Sequence, residues 1–522
     1  MTAHHWARPL SMWTPRAILA GLFVAGLSRL QLPTLREGAL VGAGLLLWGA
    51  IGDLADGRGY RLRGPASVTP RGFTRRLRGD GVRLRLRTGR LARWVGRKPV
   101  VRLPRSLEAG HLLVMGDVGS GTSGVLRQVL GEIAARGERA IVYDPSLAYV
   151  PSCYDPSRGD VLLNPMDQRA PFWTLANDLH DPTDALTVAT SLVPDETHAA
   201  LTEVPRRILA SLLLARPSPD ELSAWLTSPG LDARLAGAPE AVLLKRLKAD
   251  ERTRVLAILA VLGDAFRLLP VDSETTSRWS ASEWTWSDRG WLFVTSPPML
   301  RERLRPVTTL WLDLLLWRLT EHSGDGTPPT WVVLDDLASL NRLPHLYGAL
   351  LSDRVARMPM VLCVHGRSLI DARYGPEAEA IVARPATKLF LRTREPRAAA
   401  WIAATVGHRA LERLPATNGP ADWRLPPPKL TLQIEPVVLD SEVMTLPTGH
   451  AVLTAEGLVA PLVVAEPAAV VAGPAFLPRP SKPWPPRTPP AARPEPVATD
   501  APPLVSPSAP PPAPEPAPRL YR

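Results

Sequence analysis

Cysteine is almost absent from this 522-residue chain: only Cys153 and Cys363 occur, and they lie far apart. No disulfide framework and no cysteine-based zinc spacing can be built from two such residues, and their scarcity fits a reducing compartment. Lysine is also scarce. Nearly all basic residues are arginine, and no lysine occurs between Lys98 and Lys245. Aromatic residues make up 6% of the chain, with tryptophans such as Trp6, Trp13 and Trp94 scattered rather than grouped, so the sequence identifies no base-stacking platform. What is abundant is apolar residue content, 45%, enough to exclude disorder of the whole chain and to bury cores in about two to four domains.

The formal net charge of +11 is unevenly placed. Between Arg58 and Arg105 there are sixteen Arg or Lys residues against the single acid Asp80, so the remainder of the chain is net acidic. This basic segment is expected to meet phosphates, either of nucleic acid or of anionic lipid headgroups. It follows two apolar runs, AILAGLFVAGLS at 17–28 and GALVGAGLLLWGAIG at 38–52. Each is shorter than the roughly 20 residues that cross a bilayer core, but extension into Trp13, Leu30, Leu32 and Leu54 makes a helical hairpin. The expectation is a membrane anchor whose basic flank holds the remaining chain on the cytoplasmic side. A buried helical pair is the alternative; a cleaved signal peptide is disfavoured by the second run.

Residues 116–123, GDVGSGTS, approach the phosphate-loop pattern G-x-x-x-x-G-K-[ST], with Gly116, Gly121 and Ser123 in register and Thr122 where lysine is required. The context is that of such a loop. HLLVMG at 111–116 reads as a buried strand, SGVLRQVLGEIAARG at 123–137 as a helix stopped by Gly137, and RAIVYD at 139–144 as a second strand. Backbone amides from Gly119 through Ser120, Gly121 and Thr122 to Ser123 would face an anion at the helix N-terminus. Ser123 would offer a hydroxyl to Mg²⁺. The strand pattern TWVVLDDLASL at 330–340 ends in Asp335, positioned to hold that ion, and Asp336, positioned to orient an attacking water. MVLCVH at 360–365 ends in His365, which by itself reads as a packed or surface histidine, and ATKLFLRT at 386–393 is a further strand. Strands alternating with helices predict an α/β fold with a mainly parallel sheet.

The ordered set HLLVMGDVGSG, RAIVYDPSLAYVPSCYDPSRGDVLLNPMD, FWTLANDL, WSASEW, GWLFVTS, WVVLDDLASLNRLPHL and EPVVLDSEVMTLPTGHAVL resembles the TraD-like type IV coupling proteins over roughly residues 100–465. That resemblance implies a RecA-like nucleotide domain using ATP and Mg²⁺, an all-helical insertion, an inner-membrane anchor and a homo-hexamer. It also implies DNA as substrate, handled as a single strand, with relaxase-type substrate complexes and secretion components as partners. The division expected is a membrane anchor over 1–57, a basic connecting segment over 58–105, the nucleotide domain in two parts over 106–179 and 273–470, the insertion over 180–272, and a disordered proline-rich tail over 471–522. From Pro474 onward, 19 of 49 residues are proline, which precludes helix and sheet ladders.

Departures from the family pattern fall at the catalytic positions. Thr122 replaces the loop lysine, Asp336 replaces a glutamate, and His365 replaces a glutamine sensor, while Arg354 matches an arginine able to reach a neighbouring subunit's nucleotide. Loss of one preorganised donor costs about 3 kcal/mol in transition-state stabilisation, roughly a hundredfold in rate. The expectation is nucleotide binding with weak or absent hydrolysis. The alternatives are a divergent active motor and a non-hydrolysing adaptor working with a partner ATPase.

Overall fold

The structure is a computed structural model that describes residues 60–87, 99–195, 198–227, 231–322, 329–352, 357–413, 431–468 and 471–480. The apolar runs before residue 58, Arg354 and the tail beyond Pro480 lie outside the described residues. Among the described residues, no helix is long and apolar enough to cross a membrane.

Ten strands form the central sheet in the spatial order Ala66–Ser67, Leu458–Val463, His450–Ala455, Thr387–Phe390, Leu112–Met115, Met360–Val364, Thr330–Leu334, Arg139–Asp144, Leu292–Thr295 and Val161–Leu163. From Thr387–Phe390 to Val161–Leu163 every neighbouring pair is parallel. Antiparallel pairing enters only where His450–Ala455 joins Thr387–Phe390 and Leu458–Val463. The central strands are continuous apolar runs because both faces are covered. Leu113, Met115, Val332, Leu334, Leu362 and Val364 pack into one core, while Leu112, Val114, Trp331, Val333, Val361 and Cys363 pack into the other.

The chain leaves Leu112–Met115 for Arg139–Asp144 and later returns to insert Thr330–Leu334 and Met360–Val364 between them. Such a reversal opens a crevice at the carboxyl ends of the strands, where ligands of open parallel sheets bind. Between Val161–Leu163 and Leu292–Thr295, the regular elements of residues 182–266 are all helical, and Val188, Leu209 and Leu259 face the first core. The insertion begins with a sharp stop: Asp181 caps the helix Pro182–Leu192 in a reciprocal box with Asp184. Asp184 also receives Arg318 at 2.9 Å, a buried pair that ties the insertion to the helix Arg301–His322.

Two regions carry more structure than the expected division describes. The described part of the basic segment expected over 58–105 forms regular elements. It supplies the sheet strand Ala66–Ser67, the helix Pro70–Leu77 and a hairpin of Gly81–Arg85 with Val100–Pro104. Val82, Leu84 and Leu86 are buried while Arg83, Arg85 and Arg87 point outward, so the charge run is the solvated face of a half-buried strand. The tail, in turn, does not leave the body at residue 471. Ala472 and Gly473 donate backbone N–H groups to Pro151, and Arg479 donates its own to Met166. Isolated backbone bonds to loops give proline-rich chain a docking mode that needs no ladder.

Candidate functional site

The phosphate-loop candidate connects the central strand Leu112–Met115 to the helix Thr122–Ala135. Gly116 donates to Val364 O at 3.1 Å and Asp117 to Arg392 O at 2.9 Å, which pins the loop's start to both flanking strands. The Asp117 carboxylate accepts the Arg394 amide at 2.8 Å. At Gly116 a β-carbon would lie 2.7 Å from Ser120 Oγ and 2.8 Å from Leu391 Cβ, closer than real contacts allow. Gly121 turns the chain into the helix at φ +117°, a region that side chains disfavour. Gly119 is likewise left-handed at φ +79°.

The amides of Thr122, Ser123 and Gly124 open the helix and have no acceptor one turn earlier within it, so they form the positive end of the dipole. Ser120 is fully buried, and among the described residues its hydroxyl has no hydrogen-bond partner. Thr122 is buried and Ser123 half-buried. A long lysine would deliver charge from the position of Thr122; the threonine delivers only a hydroxyl.

The carboxylates follow the strand Thr330–Leu334, whose neighbour Met360–Val364 pairs directly with the loop strand. Asp335 is 5% exposed and accepts the Tyr149 hydroxyl at 2.8 Å. Burial raises its carboxyl above the usual range, partly offset by the bond from Tyr149 and by His365. Behind it, Asp144 accepts the amides of Ala148, Tyr149 and Val150, which fixes the turn that carries Tyr149. Burial holds the Asp144 carboxyl up at about 6 despite those three donors. Asp336 adopts the left-handed conformation at φ 58°, half-buried, and its carboxylate has no hydrogen-bond partner among the described residues. His365 Nδ1 lies 2.9 Å from Gly116 O. Residues distant in sequence thus meet at the carboxyl ends of adjacent strands.

A cleft of about 770 Å³ opens beside the loop, lined by Gly121, Gly124, Gln128, Gly449, Arg85 and Arg87 among others. Gly449 donates to Ser120 O at 2.9 Å, closing the loop from the far side. Of the residues singled out from the sequence, Gly116, Gly119, Ser120, Gly121, Thr122 and Ser123 lie in the loop after Leu112–Met115, Asp335 and Asp336 follow Thr330–Leu334, and His365 follows Met360–Val364 and contacts Gly116. Sequence reading missed Tyr149, Gly449 and the two arginines. Only the alternation in GVRLRLR, which aims Arg83, Arg85 and Arg87 to one side, signals the last pair in advance.

Oxygen donors suit Mg²⁺: the Ser123 hydroxyl and an Asp335 carboxylate whose burial leaves it short of positive charge. Among the described residues no group of three or more His, Cys, Asp or Glu side chains could hold a metal, so an ion here would depend on phosphate oxygens for the rest of its shell.

A mainly parallel sheet with a glycine loop at its switch point and carboxylates on the adjacent strands defines an α/β protein whose loop and acidic residues lie at the strand ends, the edge where open parallel sheets place their ligands. The chain belongs to the type IV secretion-system coupling proteins: the model of that family's DNA-binding domain matches residues 97–464. It is 26% identical over 360 residues to coupling protein TraD of Escherichia coli (strain K12), a match covering 65% of this chain and 48% of that protein. The chain therefore spans about half the length of that relative. In fold it is similar to the bacterial conjugative coupling protein TrwB in an unbound monoclinic form, with a TM-score of 0.68 and 24% identity over 80% of this chain and 96% of that one. A structure of plasmid coupling protein TrwB in complex with ADP and Mg²⁺ is similar at a TM-score of 0.66 and 24% identity, covering 80% and 96%.

Proposed function

We propose that the chain is a membrane-anchored coupling protein that recruits DNA to a type IV secretion or conjugation apparatus, with a RecA-like nucleotide domain that binds ATP and Mg²⁺ and turns over weakly. The observation that carries this reading is the loop itself. Its glycine geometry, closure by Gly449 and free helix amides are those of an anion cradle, yet its lysine position holds buried Thr122. The cradle and the lysine do separate jobs, since amides bind phosphate in the ground state and the cation meets charge that develops in transfer.

Ser123 and Asp335 are assigned to Mg²⁺, which would neutralise phosphate charge when bound. Asp336 is assigned to water positioning; being one methylene shorter than glutamate, it holds that water further back. His365 is assigned to the sensor position. Arg354 is assigned to a neighbouring subunit's nucleotide, and with it a homo-hexamer in which the sites lie between subunits. The substrate proposed is DNA carried as a single strand with its relaxase-type complex, and the location proposed is the inner membrane with the large domain cytosolic. The apolar runs at 17–28 and 38–52 support that location.

The testing experiment measures ATP binding and DNA-stimulated hydrolysis on the full chain in detergent, beside the same chain carrying Thr122→Lys. Binding without turnover, unrestored by lysine alone, is expected. DNA-dependent hydrolysis by the natural chain would overturn the weak-turnover reading, and absence of any ATP binding would favour the adaptor that works with a partner ATPase.

A further inference from the structure

The strand Gly81–Arg85 and its continuation to Arg87 run along the helix that follows the phosphate loop, and the two are in step. Arg83 Nε reaches Glu132 Oε2 at 2.7 Å, and Gln128 Nε2 bonds Arg85 O at 3.3 Å. Two strand residues advance about 6.8 Å and four helix residues about 6 Å. Arg83, Arg85 and Arg87 therefore descend opposite Glu132, Gln128 and Gly124, toward the helix N-terminus. The first arginine spends its charge on Glu132. The next two reach the cleft beside Gly121, where both are exposed and neither has an acidic partner among the described residues. The acid lining the same cleft, Glu466, lies 3.6 Å from Arg127. Gln128 holds the strand in this register by a further bond to Ala465 O, and Leu86 bridges to Val464.

From this geometry we infer that Arg85 and Arg87 form a cationic wall for the polyphosphate of a nucleotide bound at the loop, entering from the side strand in place of the missing loop lysine. The inference rests on the nucleotide reading above. A point charge can be supplied from any direction that reaches the anion, whereas the amide cradle must come from the loop itself. The hydrophobic half of the strand holds the arginines in place: Val82, Leu84 and Leu86 are buried, so the backbone cannot slide without exposing them.

The test is equilibrium binding of ATP, ADP, AMP and adenosine to the full chain in detergent with magnesium present, measured by titration calorimetry for the natural chain, Arg85→Gln, Arg87→Gln, Arg87→Lys and Arg83→Gln. Affinity is expected to climb with phosphate number in the natural chain. Each glutamine variant at Arg85 or Arg87 should weaken ATP about five- to tenfold and leave adenosine unchanged, Arg87→Lys should retain most of the ATP affinity, and Arg83→Gln should bind as the natural chain does. Raising salt should shrink the difference. If the natural chain binds ATP and the Arg85 and Arg87 variants bind it equally well, or lose adenosine and ATP alike, the inference falls while the nucleotide site stands. If the natural chain binds no nucleotide, the nucleotide reading itself falls, and this inference with it.

Discussion

His365 Nδ1 and the carbonyl oxygen of Gly116 lie 2.9 Å apart, joining the end of one central strand to the first residue of the glycine loop. A carbonyl only accepts, so Nδ1 carries the proton of this contact. His365 also lowers the Asp335 carboxyl electrostatically, so one side chain touches the loop and influences the carboxylate.

Replacing His365 with leucine should cost about 1–2 kcal/mol of stability, because the carbonyl loses a donor in a half-enclosed site. His365→Gln should cost less, since its amide can donate to the same oxygen. Urea midpoints of the two variants check this; equal losses would show that the contact contributes packing rather than a hydrogen bond.

Tyr149→Phe removes the hydroxyl that donates to Asp335 at 2.8 Å, leaving a buried carboxylate one donor short. The expected loss is about 1–3 kcal/mol near neutral pH. Its sign with pH follows from burial, which already raises the Asp335 carboxyl in the folded state. Stability from such a group is full below its unfolded pKa and lost as pH rises through the folded one, and the variant raises the folded value further. The destabilisation should therefore be greater at about pH 8 than at about pH 5. Denaturant titrations at the two pH values decide it, and a pH-independent loss would contradict the coupling to Asp335.

His111 provides the opposite pH signature. It is fully buried, its Nδ1 accepts the Met360 amide at 3.1 Å, and burial lowers its pKa to about 4. The folded chain holds it neutral while the unfolded chain protonates near 6.5, so stability is present above that value and lost as pH falls toward 4. Between pH 7 and 5 the contribution falls by about 2 kcal/mol. His111→Asn, which tolerates the φ of 64° found here, should lose that acid sensitivity when urea midpoints are compared across the same range.

The docked segment 471–480 should contribute to stability in its own right. Asp167, whose side chain is fully buried, accepts the Leu477 amide at 3.0 Å, and Arg169 donates to Pro474 O and Ala475 O. Deleting 471–522 should cost about 1–3 kcal/mol by leaving these groups unpaired. Deleting only 481–522 should leave the thermal midpoint unchanged. Calorimetry on both truncations separates docked chain from tail, and equal midpoints would refute the docking contribution.

Much of the site was legible in the sequence because each part announces itself locally. An apolar run ending in glycines, such as HLLVMG before DVGSG, is a buried strand meeting a glycine loop. WVVLDD and MVLCVH place Asp335, Asp336 and His365 at strand ends by the same logic, and a parallel sheet then gathers its strand ends on one edge. The substitution at Thr122 is a matter of residue identity and needed no coordinates.

What only the tertiary structure decided depends on partners remote in sequence. Charge density in Arg58–Arg105 masked the period-two alternation that makes GVRLRLR a half-buried strand, and no local pattern says that its outward arginines run in step with a helix beginning at Thr122. Tyr149 looks like an ordinary apolar-flanked tyrosine until Asp144 fixes its turn and Asp335 receives its hydroxyl. The docking of 471–480 rests on single backbone bonds to Pro151 and Met166, which leave no periodic trace. Local sequence determines which elements form and what chemistry they carry; the register between elements is set by which buried faces fit together, and that information is shared among residues hundreds of positions apart.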